Sequence, residues 1–582
     1  MLDDTVPFVL LDDARRADAA PSRLYRDPID IIAADTPEQV PRLLRALRVA
    51  RGGGLHAAGF LAYEAGHAIE PHLPPARASG VPLAWFGLFR EWQEIAPAAV
   101  PALLPDPRGG WTGAPEPRLD QAVYLDAFAR VAALIAAGDI YQANLTFRAD
   151  VATLGSPLAI HAALRARAAA GYGGVIWTGQ DWMLSHSPEL FVALNHGRAT
   201  ARPMKGTAPA DADPATLAAD PKQRAENLMI VDLLRNDLAR VARAGSVAVP
   251  RLFEVESYPT VQQMTSTVTA VLAPGRDAVD LVAALFPCGS ITGAPKLRAM
   301  EVIAEIEDGP RGIYCGAIGR FDADGDAAFN VAIRTLHMKP GADGATIGLG
   351  SGVVADSDGI GEWQECLAKG AFVAARTPDL IETMLFDPAD GFAHIDLHMA
   401  RMKASAAAFG IAFDRHAARN ELQAATFRQR EPARVRLLLS PSGRIAVAIG
   451  ALRPTPPAPV PIAIVPLPVD GGDFRLRHKT SDRRFYDRAR AVAGTFEVVF
   501  EAPDGALTEG SFTSLFVERD GVLLTPPLAH GLLPGVLRQS LIDEGRAVEA
   551  RLTRADLAGG FLVGNALRGL IAARLVDGAV RT

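Results

Sequence analysis

DPKQRAENLMIVDLLRNDLARVA, residues 220–242, decides how the first half of the chain is read. Ile230, Leu234, Leu238 and Val241 recur at helical spacing and form one apolar stripe. Met229, Val231 and Leu233 are apolar as well, which predicts a helix buried on more than one side. The same segment carries Glu226, Asp232, Arg235 and Asp237. Charges on a buried helix need partners or a metal ion. Asp232 and Arg235 lie three apart and satisfy each other as a structural pair, whereas Glu226 has no such local partner.

Downstream, SGVVADSDGIGEWQECLAKG (351–370) places Glu362, Glu365 and Lys369 on one helix face. Such a set is usually a solvated surface. A second helix bearing a carboxylate makes a shared Mg²⁺ site an expectation, because Mg²⁺ takes oxygen ligands and keeps water or substrate oxygens in its shell. Upstream, LSHSPELF (184–191) and TARPMKGT (200–207) read as strand ends. Glu189 and Lys205 are placed to face one pocket as an acid and an amine nucleophile, although a random Glu and Lys would more often be a surface ion pair. PCGSITGAPK (287–296) and RGIYCGAIGRF (311–321) are glycine-rich turns suited to close approach by an anion. FNVAIRTL (329–336) predicts one alternating strand carrying Arg334 as a carboxylate clamp. Tyr124, Phe128, Val131 and Ile135 predict a helix ending at Gly138. GDIYQANLTF (138–147) predicts a strand whose polar face is Gln142, Asn144 and Thr146. The Pro- and Ala-rich stretch 96–117 reads as a surface connection.

With 582 residues, the chain exceeds one hydrophobic core. The expected division is one large domain over 1–375 and a smaller two-lobed one over 378–582. Apolar residues make up 49% and charged residues 21%, with a net charge of −7 and both signs interspersed. No basic footprint for nucleic acid and no bilayer-spanning run is present. The start, Met1-Leu2-Asp3-Asp4, is acidic where a signal peptide would be basic. Cys288, Cys315 and Cys366 have neither zinc-site nor disulfide spacing, so a reducing cytoplasm is the expected setting.

PMKGT, AENLMIVDLLRND, GSITGAPK, RGIYCGAIG, IRT and SGVVADSDGIGEWQE, in this order, resemble the chorismate-utilising enzymes over roughly residues 120–372. The resemblance implies an α+β fold of large β-sheets with outer helices around a cleft for Mg²⁺ and chorismate. It implies Glu226 and Glu365 as metal ligands with Glu362 close by. It places Thr292, Gly293, Tyr314, Arg334, Gly350 and Lys369 around the substrate. Lys205 decides the branch: anthranilate synthases usually carry Ala there, and aminodeoxychorismate synthase component I carries Lys. The resemblance then implies that Lys205 attacks C2 of chorismate while Glu189 protonates the departing C4 hydroxyl, and that ammonia enters at C4. Gln223 and Gln263 depart from the Asp and His that relatives often have. None of the three cysteines has a glutaminase setting, so a partner glutamine amidotransferase subunit is expected to supply ammonia.

In the second half, LIETMLFD (380–387) reads as a strand, IDLHMARMKASAAAFGI (395–411) as a helix and RVRLLLSPSGRIAVAI (434–449) as a hairpin. Lys479 sits in a basic stretch with Arg475, Arg477, His478, Arg483 and Arg484, where neighbouring positive charge lowers an amine's pKa. Glu509 ends a strand beside glycine, and GLLPGVLR (531–538) and GNALRG (564–569) offer backbone N–H groups to a phosphate. This set resembles the fold-type IV pyridoxal-phosphate enzymes over about 380–573, which include aminodeoxychorismate lyase and branched-chain aminotransferases. The resemblance implies Lys479 as the Schiff-base lysine and Glu509 as partner of the pyridine nitrogen. Arg401, Val536, Leu537, Asn565 and Ala566 would surround the cofactor phosphate, and Ser514 departs from a common Asn. It leaves room for a homodimer through this domain. These motifs do not separate lyase from aminotransferase. The fusion does, since the first domain's product carries a primary amine on which pyridoxal phosphate acts. The expected whole is a two-step synthesis of 4-aminobenzoate. The alternatives are an anthranilate synthase component I fused to an amino-acid aminotransferase, and a non-catalytic chorismate-binding regulator.

Overall fold

The computed structural model describes residues 2 and 4–576 apart from 71, 76, 210, 258–260 and 343, with the backbone alone at 207, 209, 257 and 261. It divides into two compact units. The first comprises 1–104, 114–153 and 161–374, and the second comprises 105–113, 154–160 and 375–582. Residues 105–113 are therefore not the surface connection expected of them. Trp111 is buried, with its ring 4.9 Å from Phe409 in the core of the second unit.

Two large antiparallel sheets build the first unit. Among the described residues one has eleven strands, running through Gln142–Leu154, Gly344–Val353, Thr335–Met338 and Trp182–Ser185. The other has ten, running through Met204–Pro209, Val261–Val271, Arg198–Arg202, Leu190–Asn195 and Ala327–Val331. Val9, Tyr25 and Met183 of one sheet share a core with Phe60, Trp85 and Ile318 of the other. The larger core lies between the ten-stranded sheet and the helices, with Leu43, Leu47, Ile230, Leu234, Val282 and Met300 among its residues. The helix Pro221–Ala239 starts where Asp220 caps the backbone N–H groups of Lys222 and Gln223. It buries Ile230, Val231, Leu234 and Leu238. Asp232 and Arg235 form the expected pair at 2.6 Å, on the exposed side of the helix. Asp237 instead turns inward and takes the buried Lys296 ammonium at 2.7 Å, a partner no local spacing could announce.

Residues 329–336 are not one strand. Ala327–Val331 belongs to the ten-stranded sheet and Thr335–Met338 to the eleven-stranded one. Arg334 sits at the joint with φ 50°, a left-handed conformation that turns the chain from one sheet to the other. The polar face of Gln142–Leu154 does not meet solvent either, since Gln142, Asn144 and Thr146 are all buried.

A buried ion pair ties these parts together. The Arg311 guanidinium grips both Glu307 oxygens and donates to the carbonyls of Ile291 (2.9 Å) and Asn144 (2.6 Å). Glu307 also accepts the N–H of Thr146 at 2.8 Å. The backbone N–H groups of Arg311 and Gly312 end on the buried Glu64 carboxylate.

The second unit has two lobes. A four-stranded sheet of Gly391–Phe392, Leu380–Asp387, Ala433–Leu439 and Ile445–Ala451 packs with the helices Ile395–Ala408 and Arg415–Thr426. An eight-stranded mixed sheet contains Val460–Pro466, Glu497–Glu501, Leu507–Gly510 and Ser514–Arg519, and its own core includes Val460, Val499, Leu515 and Val563. No helix of the described residues is long and apolar enough to cross a membrane. The three cysteines are buried and free.

Removing Glu307 would strand a buried guanidinium. Glu307→Ala is expected to cost about 3–5 kcal/mol in denaturant unfolding. A loss under about 1 kcal/mol would show that the pair does not hold the first unit together.

Candidate active sites

The first unit encloses a cavity of about 240 Å³ where strand ends from both sheets meet two helices. Glu189, Lys205, Glu226, Tyr314, Arg334, Gly350, Glu362, Glu365 and Lys369 all line it, and so do Gln223 and Gln263. Thr292 and Gly293 do not line it. The Thr292 hydroxyl donates to the carbonyls of Cys288 (3.1 Å) and Gly289 (3.3 Å), and its carbonyl accepts from Asn144 N–H. That turn reaches the cavity through Ser290, Ile291 and Asn144 instead.

Lys205 extends from the strand Met204–Pro209 toward Gly352. A Cβ there would stand 3.0 Å from the lysine Nζ, so glycine keeps room for the amine. Burial, and then the nearby Lys369 charge, lowers the Lys205 pKa from the usual lysine value against the pull of Glu226, Glu189 and Glu365. Glu189 is buried just before the strand Leu190–Asn195, and it accepts a 2.8 Å hydrogen bond from Ser290. Burial pushes its carboxyl up to about 7, against Ser290 and Lys205. An acid protonated near neutrality and an amine made easier to deprotonate thus line one cavity. Ser290 escaped sequence reasoning, since it lies 101 residues from Glu189. The helix Gly359–Gly370 contributes Glu365 and Lys369, paired at 2.7 Å, and Lys369 also donates to the Gly350 carbonyl at 3.0 Å. Glu362 accepts from Ser357 at 2.6 Å. Tyr314 packs against Gly348, where any Cβ would collide with the ring.

Among the described residues no group of three His, Cys, Asp or Glu side chains converges as a metal cage. Mg²⁺ does not require one. It is commonly held by one or two carboxylates plus substrate oxygens. Glu226, Glu362 and Glu365 supply hard oxygen donors on one cavity, and burial followed by the charges of Glu362 and Glu365 works to raise the Glu226 pKa. The donor set suits that ion.

The second unit has a cavity of about 750 Å³. Arg401, Lys479, Glu509, Val536, Leu537, Asn565 and Ala566 all line it. Lys479 follows the short helix Phe474–Arg477, and its carbonyl accepts from Ile381 N–H. Burial, then Arg401, brings its amine down to about 7, despite Glu382. One member of the neighbouring basic stretch has another task, while Arg483 and Arg484 line the same cavity. Arg475 is buried in contacts with Asp473, Asp106 and Asp482. Glu509, buried at the end of Leu507–Gly510, accepts the Tyr486 hydroxyl at 2.5 Å, and burial raises it to about 7. Arg401 spends three of its N–H groups on Glu382 and the Pro534 carbonyl. His398 grips the same Glu382 at 2.7 Å. Gly535 opens the helix Val536–Asp543, and a Cβ on it would lie 2.4 Å from Ser514 Oγ.

Two organising carboxylates here were missed. One is Glu382, whose place inside an apolar strand was the available signal. The other is Glu497, fully buried, which accepts from Ser511 N (3.0 Å), Ser511 Oγ (2.6 Å), Phe512 N (2.9 Å) and Thr513 Oγ1 (3.0 Å). It shapes the turn that follows Glu509. An amine near neutrality, a buried carboxylate, a cationic end and a helix N-terminus in one cavity suit pyridoxal phosphate.

The family described as chorismate binding enzyme matches residues 7–375, and that described as amino-transferase class IV matches residues 379–576. Aminodeoxychorismate synthase component 1 of Klebsiella aerogenes is 41% identical over 285 residues, covering 48% of this chain and 62% of that protein. Anthranilate synthase component 1 of Streptomyces coelicolor is 40% identical over 304 residues, covering 51% and 55%. This chain thus spans less than two thirds of either relative. The crystal structure of anthranilate synthase component I from Streptococcus pneumoniae is similar with a TM-score of 0.51 and 26% identity, over 64% of this chain and 93% of that one. With a match running from residue 7 to residue 375, the chain belongs to the chorismate-binding enzyme family.

Proposed function

We propose that the chain makes 4-aminobenzoate from chorismate in two steps. In the first, chorismate loses its C4 hydroxyl as water and gains an amine there. In the second, pyruvate is eliminated from the resulting 4-amino-4-deoxychorismate. The observation that carries this reading is Lys205, an amine with a lowered pKa on a cavity shared with Glu189.

Lys205 attacks C2 of chorismate as the ring double bonds shift, and Glu189 delivers its proton to the departing C4 hydroxyl. Ammonia then bonds to C4, the double bonds shift back, the C2–Nζ bond breaks and Lys205 is released. Arg334 and Lys369 bind the substrate carboxylates, with Tyr314 and Gly350 shaping the wall beside them. Thr292 and Gly293 back the strand that brings Asn144 to the cavity. Glu226 and Glu365, with Glu362 beside them, would hold Mg²⁺ and neutralise carboxylate charge on the substrate. Ammonia comes from a glutamine amidotransferase partner, since Cys288, Cys315 and Cys366 are buried and burial pushes their thiols up to about 12, 12 and 11, against the needs of a nucleophile.

At the second site, pyridoxal phosphate would be held by Lys479, with Glu509 on its ring nitrogen. Arg401, Val536, Leu537, Asn565 and Ala566 would surround its phosphate. The cofactor supplies the electron sink that acidifies the C4–H of the bound amine. Lys479, its amine brought down to about 7, removes that proton in its neutral form, and loss of pyruvate leaves the aromatic ring. The reading places the chain in the cytoplasm.

Anthranilate synthase fused to an aminotransferase remains the second reading, because the identity to the Streptomyces coelicolor protein is nearly as high. Product analysis separates the two. Chorismate, Mg²⁺, ammonium and pyridoxal phosphate should yield 4-aminobenzoate and pyruvate in equal amounts, and glutamine should replace ammonium only when a glutaminase subunit is added. Formation of 2-aminobenzoate would overturn the reading.

Two substitutions test the first site. Lys205→Ala should abolish 4-amination. Glu189→Gln should lower its kcat by about 10²–10⁴-fold and remove the ionisation near pH 7 from the kcat/KM profile. Undiminished 4-amination by either variant would contradict the assignment.

The second site makes a pH prediction. With the Lys479 amine near 7, its neutral fraction rises about tenfold per pH unit below 7 and levels off above it. The rate of pyridoxal-phosphate capture, followed by absorbance, should rise from pH 6 and flatten past neutrality. A midpoint near the ordinary lysine value, or borohydride-stable attachment that survives in Lys479→Ala, would contradict the role.

A further inference from the structure

The second cavity holds more positive charge than a cofactor phosphate needs. Of the arginines that line it, Arg401 is answered by Glu382, Arg490 by Asp487 at 3.0 Å and Arg484 by Asp482 at 3.6 Å. Arg483 lies over the Tyr486 ring and donates to the Ser511 carbonyl, which places it beside Glu509. Four remain: Arg434, Arg436, Arg453 and Arg568. None of these four has a carboxylate within ion-pair distance among the described residues.

They come from three places in the fold. Arg434 and Arg436, two apart on the strand Ala433–Leu439, share one face of the sheet. Arg434 pairs in register with Gly450 of the neighbouring strand. Arg453 stands just past the partner strand Ile445–Ala451. Arg568 occupies the turn between Phe561–Asn565 and Gly569–Leu575, its backbone N–H held by Asn565 and its guanidinium 5.7 Å from the Phe512 ring centroid. Arg434 and Arg453 are exposed, as solvated arginines would be. The Nε atoms of Arg436 and Arg568 are not. Both are buried and have no hydrogen-bond partner among the described residues. A buried unmet donor is costly, and a charged one more so. Burial, followed by the like charges of Arg434 and Arg453, lowers the Arg568 pKa.

We infer that Arg434, Arg436, Arg453 and Arg568 form a dicarboxylate-binding wall, so that the second site selects an amine bearing two carboxylate groups over a monocarboxylic amino acid. Guanidinium groups bind carboxylates through paired N–H bonds, and four of them match two such groups. This rests on the reading of the cavity as a pyridoxal-phosphate site. It goes further by assigning substrate choice to residues outside the cofactor's set.

The test uses the full chain loaded with pyridoxal phosphate, with Arg434→Met, Arg568→Met and the double variant. Steady-state elimination from 4-amino-4-deoxychorismate is measured beside the dissociation constant for pyridoxal phosphate and inhibition by isophthalate and by benzoate. Each single variant should raise KM about tenfold with kcat within about twofold, and leave cofactor affinity within about twofold. Wild type should be inhibited more strongly by isophthalate than by benzoate, and the double variant should lose that preference. Unchanged KM in both single variants, or parallel loss of cofactor affinity, would overturn the inference. If the loaded wild-type chain eliminates no pyruvate, the lyase reading fails. The inference is then judged by calorimetric isophthalate binding in wild type and double variant, and equal binding would overturn it.

Discussion

The first unit depends on one buried contact, the Arg311 guanidinium locked onto Glu307. Five backbone groups, from the strand Gln142–Leu154 and two turns, would otherwise lie unmet in the interior. Arg311 takes the carbonyls of Asn144 and Ile291, Glu307 takes the N–H of Thr146, and Glu64 takes the N–H groups of Arg311 and Gly312. Asn144, Ile291 and Tyr314 then line the cavity. A pair of this kind adds little net stability over an apolar substitute, but losing one member is expensive. Its value is placement. It fixes the positions of walls drawn from parts of the chain more than a hundred residues apart.

Both cavities use desolvation to adjust their chemistry. Burial is the largest influence on Lys205, Glu189, Lys479 and Glu509, and it moves each toward its neutral form. Lysine in water is almost wholly charged at pH 7 and carboxylates are almost wholly ionised. Bringing both toward neutrality makes nucleophile and acid available together. In the second unit Arg401 reinforces this for Lys479, while Arg483 works against it at Glu509, and Glu382 and Glu497 keep the arginine and the turn around it in place.

Local patterns were legible where the structure is local. The helices Pro221–Ala239 and Gly359–Gly370, the pair Asp232–Arg235 and the hairpin Ala433–Ala451 follow from periodicity, capping and turn residues. The cavity-lining carboxylates and lysines were legible because charge stood where packing would not want it. Other features were not. Alternation through 329–336 persists across a change of sheet, so it cannot reveal the left-handed turn at Arg334. A polar strand face at Gln142, Asn144 and Thr146 looks the same whether it meets water or a cavity. Ser290 with Glu189, and Lys296 with Asp237, are joined only by the fold. The segment 105–113 reads as a connection because Pro and Gly dominate it, yet Trp111 buries its ring.

The central claim is that Lys205 forms a covalent bond to the substrate ring. The direct measurement is intact-mass and peptide analysis of the chain quenched in acid after mixing with chorismate and Mg²⁺, without ammonia or glutamine. The account predicts an added mass equal to chorismate less one water, carried on the peptide that contains Lys205 and discharged when ammonium is supplied. No adduct under conditions where ammonium supports turnover, or an adduct on another residue with Lys205 unmodified, would contradict it.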